Sequence, residues 1–259
     1  HVAQPPIGGF VLGQLAGGVI GFALGGPLGA LLGVGVGALV DAGREANRPV
    51  SRTAPRLDPA EQAQAAYFTA VFSMLGKMAA ADGRISRSEV NRVEEFISSQ
   101  GMDPTQRAFA VAVFNRARLS PYTFADLARQ FARIFAGAPQ IRSSMFDLLA
   151  QVAAADGVIH PAEEEHLREA AAIFGLGRGA FERAMREYGS AAGDDYAVLE
   201  CSPGASDDEI RSNYRRLVKD FHPDRLRSKG LPDELMAHAS EKFRRIQEAW
   251  EKIRKERGI

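Results

Sequence analysis

Met78-Ala-Ala-Ala-Asp-Gly-Arg-Ile-Ser-Arg-Ser-Glu89 returns 74 residues later as Val152-Ala-Ala-Ala-Asp-Gly-Val-Ile-His-Pro-Ala-Glu163. At the same offset Phe72, Leu75 and Gly101 correspond to Phe146, Leu149 and Gly175, so the duplicated unit extends beyond the quoted stretch. Each copy reads as helix, Asp-Gly turn, helix. The glycine supplies the left-handed residue that ends the first helix. Ser86 and Glu89 have the spacing of a capping box, and Pro161 after His160 opens the second helix of the second copy. Further stops at Gly101, Ser120-Pro121, Gly137 and Gly175 divide the region from Pro59 onward into helices of roughly 14 to 20 residues. Asp103 with Pro104 and Gln106, and Ser120 with Pro121, read as helix starts. No segment alternates with period two over strand length, so the expected fold is all-α.

The acidic residues of the two turns, Asp82 and Glu89 in the first copy and Asp156 and Glu163 in the second, invite a metal reading. A calcium loop needs about six to eight oxygen ligands, and each copy offers two carboxylates. Helix punctuation is the preferred reading. The alternative is a metal or ligand site assembled where the two turns meet.

Toward the N-terminus, Phe10 to Val40 carries no ionisable residue. As a helix it would extend about 46 Å at about 1.5 Å per residue, against a hydrocarbon core of about 30 Å. Arg44, Arg48, Arg52 and Arg56 follow it and no Lys or Arg precedes it, which places the C-terminal bulk in the cytoplasm. Within the stretch Gly13, Gly17, Gly21, Gly25, Gly29, Gly33 and Gly37 recur every fourth residue, forming a groove in which a second helix can approach closely. A homodimer through this transmembrane helix is expected. Pro27 after Gly25-Gly26 leaves open two half-helices folded as a re-entrant hairpin. The 1–9 segment is a tail, and 41–58, rich in Arg, Pro and Ala, reads as a juxtamembrane linker.

Toward the C-terminus, a second soluble unit begins at Asp194, after the helical domain of 59–190. Ser206 to Glu209 is a capping box that opens a helix on which Ile210, Leu217 and Phe221 recur at helical spacing. Arg211, Arg215, Arg216 and Lys219 take its other faces. His222-Pro223-Asp224 then interrupts the chain as a short polar loop, and Phe243, Ile246, Trp250 and Ile253 form the stripe of a partner helix in an antiparallel hairpin.

Composition excludes several functions. Lys plus Arg and Asp plus Glu both number 32, and within 194–259 both number 14, so no charge excess points to nucleic acid. The single Cys201 permits no internal disulfide and no cysteine zinc site. His222 and Asp224 have no nucleophile nearby in sequence, and no Gly-rich phosphate loop lies in the soluble part. No enzymatic constellation, catalytic residue or cofactor is expected.

The duplicated Ala-Asp-Gly-x-Ile pattern and its helices resemble the tellurite-resistance TerB-like domain, which implies a compact seven-helix bundle and a metal-linked stress role at the acidic turns. Residues 194–259 resemble the J-domain of DnaJ co-chaperones through Asp195-Tyr196 and Leu199, Ile210-Arg211, Tyr214 to Leu217, His222-Pro223-Asp224, and Phe243 with Ile246 to Trp250. That likeness implies docking on a DnaK-type chaperone ATPase, with Arg211, Tyr214, Arg215, Arg216 and Arg225 meeting an acidic surface and His222, Pro223 and Asp224 triggering the partner's ATP hydrolysis. Trp250 stands where the family usually has tyrosine, and Asp220 where it often has lysine. The order of anchor, TerB-like domain and C-terminal J-domain resembles the membrane-anchored DnaJ-like protein A family of bacterial inner membranes. Without a Gly/Phe-rich linker or a cysteine zinc module, delivery of substrates in the manner of general DnaJ proteins is not implied. The expected function is a membrane-tethered co-chaperone. Its rival is a membrane stress sensor that binds metal or a protein partner, with the J-domain secondary.

Overall fold

The computed structural model describes residues 25–33, 58–81, 87–155, 157, 159–177, 179–188 and 194–259, without the side chains of 87–90 and 92, and every regular element among them is helical. The first is α1, residues 26–33. Gly25 and Gly26 both adopt left-handed backbone, with φ of +58° and +56°, so no continuous helix passes through them. The break falls at the Gly25-Gly26-Pro27 point that the sequence offered for one. Gly13, Gly17, Gly21 and Gly37 lie outside the described residues, as do 41–57 of the linker. Among the described residues no helix is long and apolar enough to cross a membrane.

Seven helices follow between residues 59 and 188: α2 (Pro59–Met78), α3 (Arg87–Ser99), α4 (Pro104–Leu119), α5 (Phe124–Ile134), α6 (Pro139–Ala153), α7 (Pro161–Phe174) and α8 (Ala180–Tyr188). The sequence caps them locally. Asp58 accepts from the N–H groups of Ala60 and Glu61 while Glu61 accepts from Asp58, and Asp103 and Gln106 repeat this reciprocal pair on α4. Gly101 and Gly175 close α3 and α7 in left-handed conformation, as the stops required. One start differs from expectation. Ser120 is the C-cap of α4, and α5 begins four residues later behind Thr123, whose hydroxyl accepts from the Asp126 N–H at 3.1 Å. Pro121 there serves as a stop, because it disfavours helical backbone in the residue before it.

Helix α2 is the axis of this bundle, buried from Ala65 to Gly76 and packed most extensively on α4 and then α5. Phe68 tilts against Phe72 at 4.8 Å and Phe109 at 5.7 Å, while Tyr67 meets Phe131 edge-on at 5.7 Å. Gly76 lets α2 and α4 close up, since a β-carbon there would lie 2.6 Å from the Phe114 carbonyl oxygen. Leu28, Leu31 and Leu32 of α1 join the same buried apolar cluster.

The C-terminal unit comprises α9 (Asp195–Val198), α10 (Asp207–Asp220), α11 (Pro223–Ser228), a 3₁₀ turn (Asp233–Leu235) and α12 (Met236–Arg257). Helices α10 and α12 form the hairpin, with Ile210, Leu217 and Phe221 facing Ile246, Ala249 and Ile253 in the buried cluster. Phe243 and Trp250, expected in that stripe, are half-buried at its flank. Arg257 staples the open end by donating to Tyr196 Oη, the Ala205 carbonyl and Asp207. The expected polar loop is in part helical. Pro223 occupies the first turn of α11, where its missing N–H costs nothing.

Candidate partner-docking face and the seam behind it

His222 is the N-cap of α11, and its Nδ1 accepts from the Asp224 N–H at 3.3 Å. Its ring is exposed and touches Phe243 edge-on at 5.6 Å. The Asp224 carboxylate is 79% exposed and, among the described residues, pairs with Arg227 alone, at 3.5 Å. The tripeptide is therefore held by backbone geometry, with two of its three side chains turned to solvent. Tyr214 is stacked on Trp250 at 4.6 Å with the planes 8° apart, so the tryptophan takes over the packing role of the usual tyrosine and stiffens that side of α10.

The four expected arginines divide into two groups. Arg211 and Arg215 lie one turn apart; Arg211 is paired weakly with Asp208 at 3.4 Å, and Arg215 has no ion-pair partner among the described residues. Arg216 and Arg225 turn toward the helical domain and line a cleft of about 250 Å³ together with Gln140, Ser143 and Arg183. There Glu200 pairs with Arg216 at 2.5 Å, and Asp220 lies 3.4 Å from Arg225 and 3.9 Å from Arg216. The Asp220 departure thus does more than remove a positive charge. It occupies two of the remaining ones.

Behind this face the two units are joined through a buried charge network. Lys242 of α12, 6% exposed, donates to Asp147 of α6 at 2.7 Å and to Glu187 of α8 at 2.6 Å. Arg245 adds a bond of 3.2 Å to Glu187 and stacks over the Tyr188 ring at 4.6 Å. His238 Nδ1 lies 2.7 Å from Gln151 Oε1, so that nitrogen is the donor, while Nε2 faces Asp147 at 3.4 Å. Burial acts to push the Asp147 carboxyl up, but the Lys242 ammonium and the His238 contact hold it well below the usual carboxylate range. Burial likewise opposes the Lys242 charge, and Asp147 and Glu187 together still raise its pKa above the ordinary lysine value. The segment before α12 adds contacts of its own. A β-carbon at Gly230 would stand 2.8 Å from Ala63 Cβ of α2, and Gln106 donates to the buried Glu234 at 2.5 Å.

Comparison with known proteins gives the same three parts in the same order. Residues 10–47 match the family described as the co-chaperone DjlA transmembrane domain, 68–186 match the tellurite resistance protein TerB, and 194–257 match the DnaJ domain. Curated proteins named co-chaperone protein DjlA align over most of the chain. That of Coxiella burnetii is 28% identical over 214 residues, covering 76% of this chain and 79% of its own, and that of Escherichia coli K12 is 26% identical over 220 residues, covering 76% and 81%. The chain thus carries three matched domains in one order and is similar over about three quarters of its length to proteins named co-chaperone protein DjlA. No solved structure matches it significantly.

Of the acidic turns only part is described: Asp82, Asp156 and the side chain of Glu89 lie outside the described residues. Glu163 is buried and accepts from the His160 N–H at 3.1 Å, the N-terminal bond of α7. The helices that flank the two turns do meet, since Met78, Ala79, Val152, Ala153 and Glu163 line one cavity of about 20 Å³, room for about one water. Among the described residues no three His, Cys, Asp or Glu side chains are grouped to hold a metal ion. Cys201 is inert for a different reason, its thiol pushed up to about 11 by burial and by the nearby Glu209.

Sequence reasoning missed the seam, although a signal was present. Lys242 falls on the apolar stripe of α12 between Ala239 and Ile246, and Asp147 interrupts the apolar run from Met145 to Leu149. A charge in each of two core stripes is the mark of a pair that meets in the interior.

Proposed function

We propose that the chain is a membrane-anchored J-domain co-chaperone that recruits a DnaK-type chaperone and stimulates its ATP hydrolysis. The exposed His222-Pro223-Asp224 cap of α11 carries this reading: its polar side chains contribute little to the hairpin core and are presented on a fixed backbone. Arg211, Tyr214 and Arg215 form the open part of the docking face. Arg216 and Arg225 join it when an acidic partner displaces Asp220 and Glu200. The apolar stretch of 10–40 holds the chain in the bacterial inner membrane as a single-pass anchor, with 59–190 and 194–259 on the cytoplasmic side, and its glycines pair two copies. The helical domain chooses the clients. This role asks for no nucleotide site or cofactor of the chain itself. Burial of Glu163 as a helix cap weighs against the metal-sensor alternative.

Single-turnover ATP hydrolysis by a DnaK-type chaperone, with the full chain in detergent, is the test. Stimulation is expected for the wild type and lost in His222→Gln and in Asp224→Asn, with helicity unchanged in both. Stimulation that survives both changes refutes the proposal.

A further inference from the structure

Residues 26–33 belong to the uncharged stretch from Phe10 to Val40, yet they are seated on the helical domain. Leu28, Leu31 and Leu32 are buried, while Ala30 on the other side of α1 faces solvent. The seat is also polar. Gln130 of α5, 5% exposed, accepts from the Leu28 N–H through Oε1 at 2.8 Å and donates through Nε2 to the Gly25 carbonyl at 2.8 Å. A β-carbon at Gly26 would stand 3.1 Å from that Oε1. In a helix running on through Gly25, the Leu28 N–H would donate instead to the carbonyl of Leu24, four residues earlier. One N–H serves one of these arrangements at a time, and the continuous helix also requires Gly25 and Gly26 to leave their positive φ values. The docked and continuous forms exclude each other. Each nevertheless satisfies the backbone, the first with an amide side chain and the second with its own helical bonds inside hydrocarbon.

We propose that residues 25–33 are a two-state element that exchanges between the bilayer and the α5 face of the helical domain, with Gln130 recognising the broken end of the helix. Lipid tails are about as apolar as leucine, so burial of the three leucines favours neither state strongly. The Gln130 bonds and the two glycines then set the balance. Docking also buries Gly29, a position the glycine groove needs for pairing, so the docked state withdraws that part of the groove from a second copy. The inference rests on the membrane-anchor reading and is independent of the J-domain's activity.

The test uses the full chain with Cys201→Ser and Ala30→Cys, carrying an NBD fluorophore at residue 30, in vesicles of phosphatidylethanolamine and phosphatidylglycerol. Iodide reports the docked state, in which residue 30 faces water, and a nitroxide-labelled lipid reports the inserted one. Both populations are expected in the wild type. Gln130→Leu and, separately, Gly26→Ala should shift their ratio toward lipid by about fivefold, the size of about one net hydrogen bond. Gly26→Ala lies outside the helical domain and keeps the test valid should Gln130→Leu unfold it. An unchanged ratio in both variants, whether all lipid or all water, overturns the exchange alone. Failure of the chain to float with the vesicles overturns the membrane reading and the exchange with it.

Discussion

At the residue scale the consequential group is Lys242. Replacing it by methionine leaves Asp147 buried without its cation, and breaking a buried pair in this way costs about 3 to 5 kcal/mol. A bundle of this size should then melt roughly 10 °C lower by calorimetry, and the double change Lys242→Met with Asp147→Leu should recover most of the loss. The pH dependence follows from the directions of the shifts. Asp147 is depressed in the folded state, so its contribution is present above its unfolded value of about 4 and drains as pH falls through the folded one; Lys242 is raised, so its contribution is present below about 10.4 and drains as pH rises further. Thermal stability is expected to hold from about pH 5 to 10 and to fall in acid, with a flatter acid limb in Asp147→Asn. Asp220→Asn acts in the cleft that borders this network. By releasing Arg225 it should raise the association rate with an acidic chaperone about two- to tenfold at low salt, read by stopped-flow binding. An unchanged rate would mean that Asp220 competes for nothing.

At the scale of elements, the contact of α2 with α4 turns on Gly76. Gly76→Ala places a β-carbon against the Phe114 carbonyl and should cost about 1 to 3 kcal/mol in thermal denaturation, whereas Gly137→Ala, which meets nothing within 4 Å, should change stability little. What the sequence revealed follows the same line between local and distant causes. The caps at Asp58 and Asp103, the proline at 161 and the left-handed Gly101 and Gly175 act within four residues, and all were legible or consistent with the reading. Ser120-Pro121 misled because serine followed by proline suits an end as well as a beginning, and the Thr123–Asp126 pair decided between them. The helical form of 223–228 was hidden because a polar run with proline reads equally as loop. The residues proposed for docking could be named from their motif. The pairing of Arg216 and Arg225 with Glu200 and Asp220 was not, because it depends on how α9, α10 and α11 converge.

For the whole molecule, the seam makes the J-domain an integral part of the helical domain. Its grip is distributed over the 229–236 segment on α2 and α4 and over α12 on α6 and α8. Gly230→Val, in a backbone with φ of +104° and against Ala63, should lift the first grip, and Lys242→Ala the second. Together they should enlarge the radius of gyration in small-angle scattering, whereas the wild type stays compact; an unchanged radius would show that other contacts hold the units. The two copies of the repeat in the helical domain differ at one buried position. At the offset of 74 residues Ser73 corresponds to Asp147, and the Ser73 hydroxyl is buried on the core side of α2 while its counterpart grips another unit's lysine. One difference between hydroxyl and carboxylate therefore makes the two halves of the repeat unequal: only the second half can hold the C-terminal unit's lysine from this position.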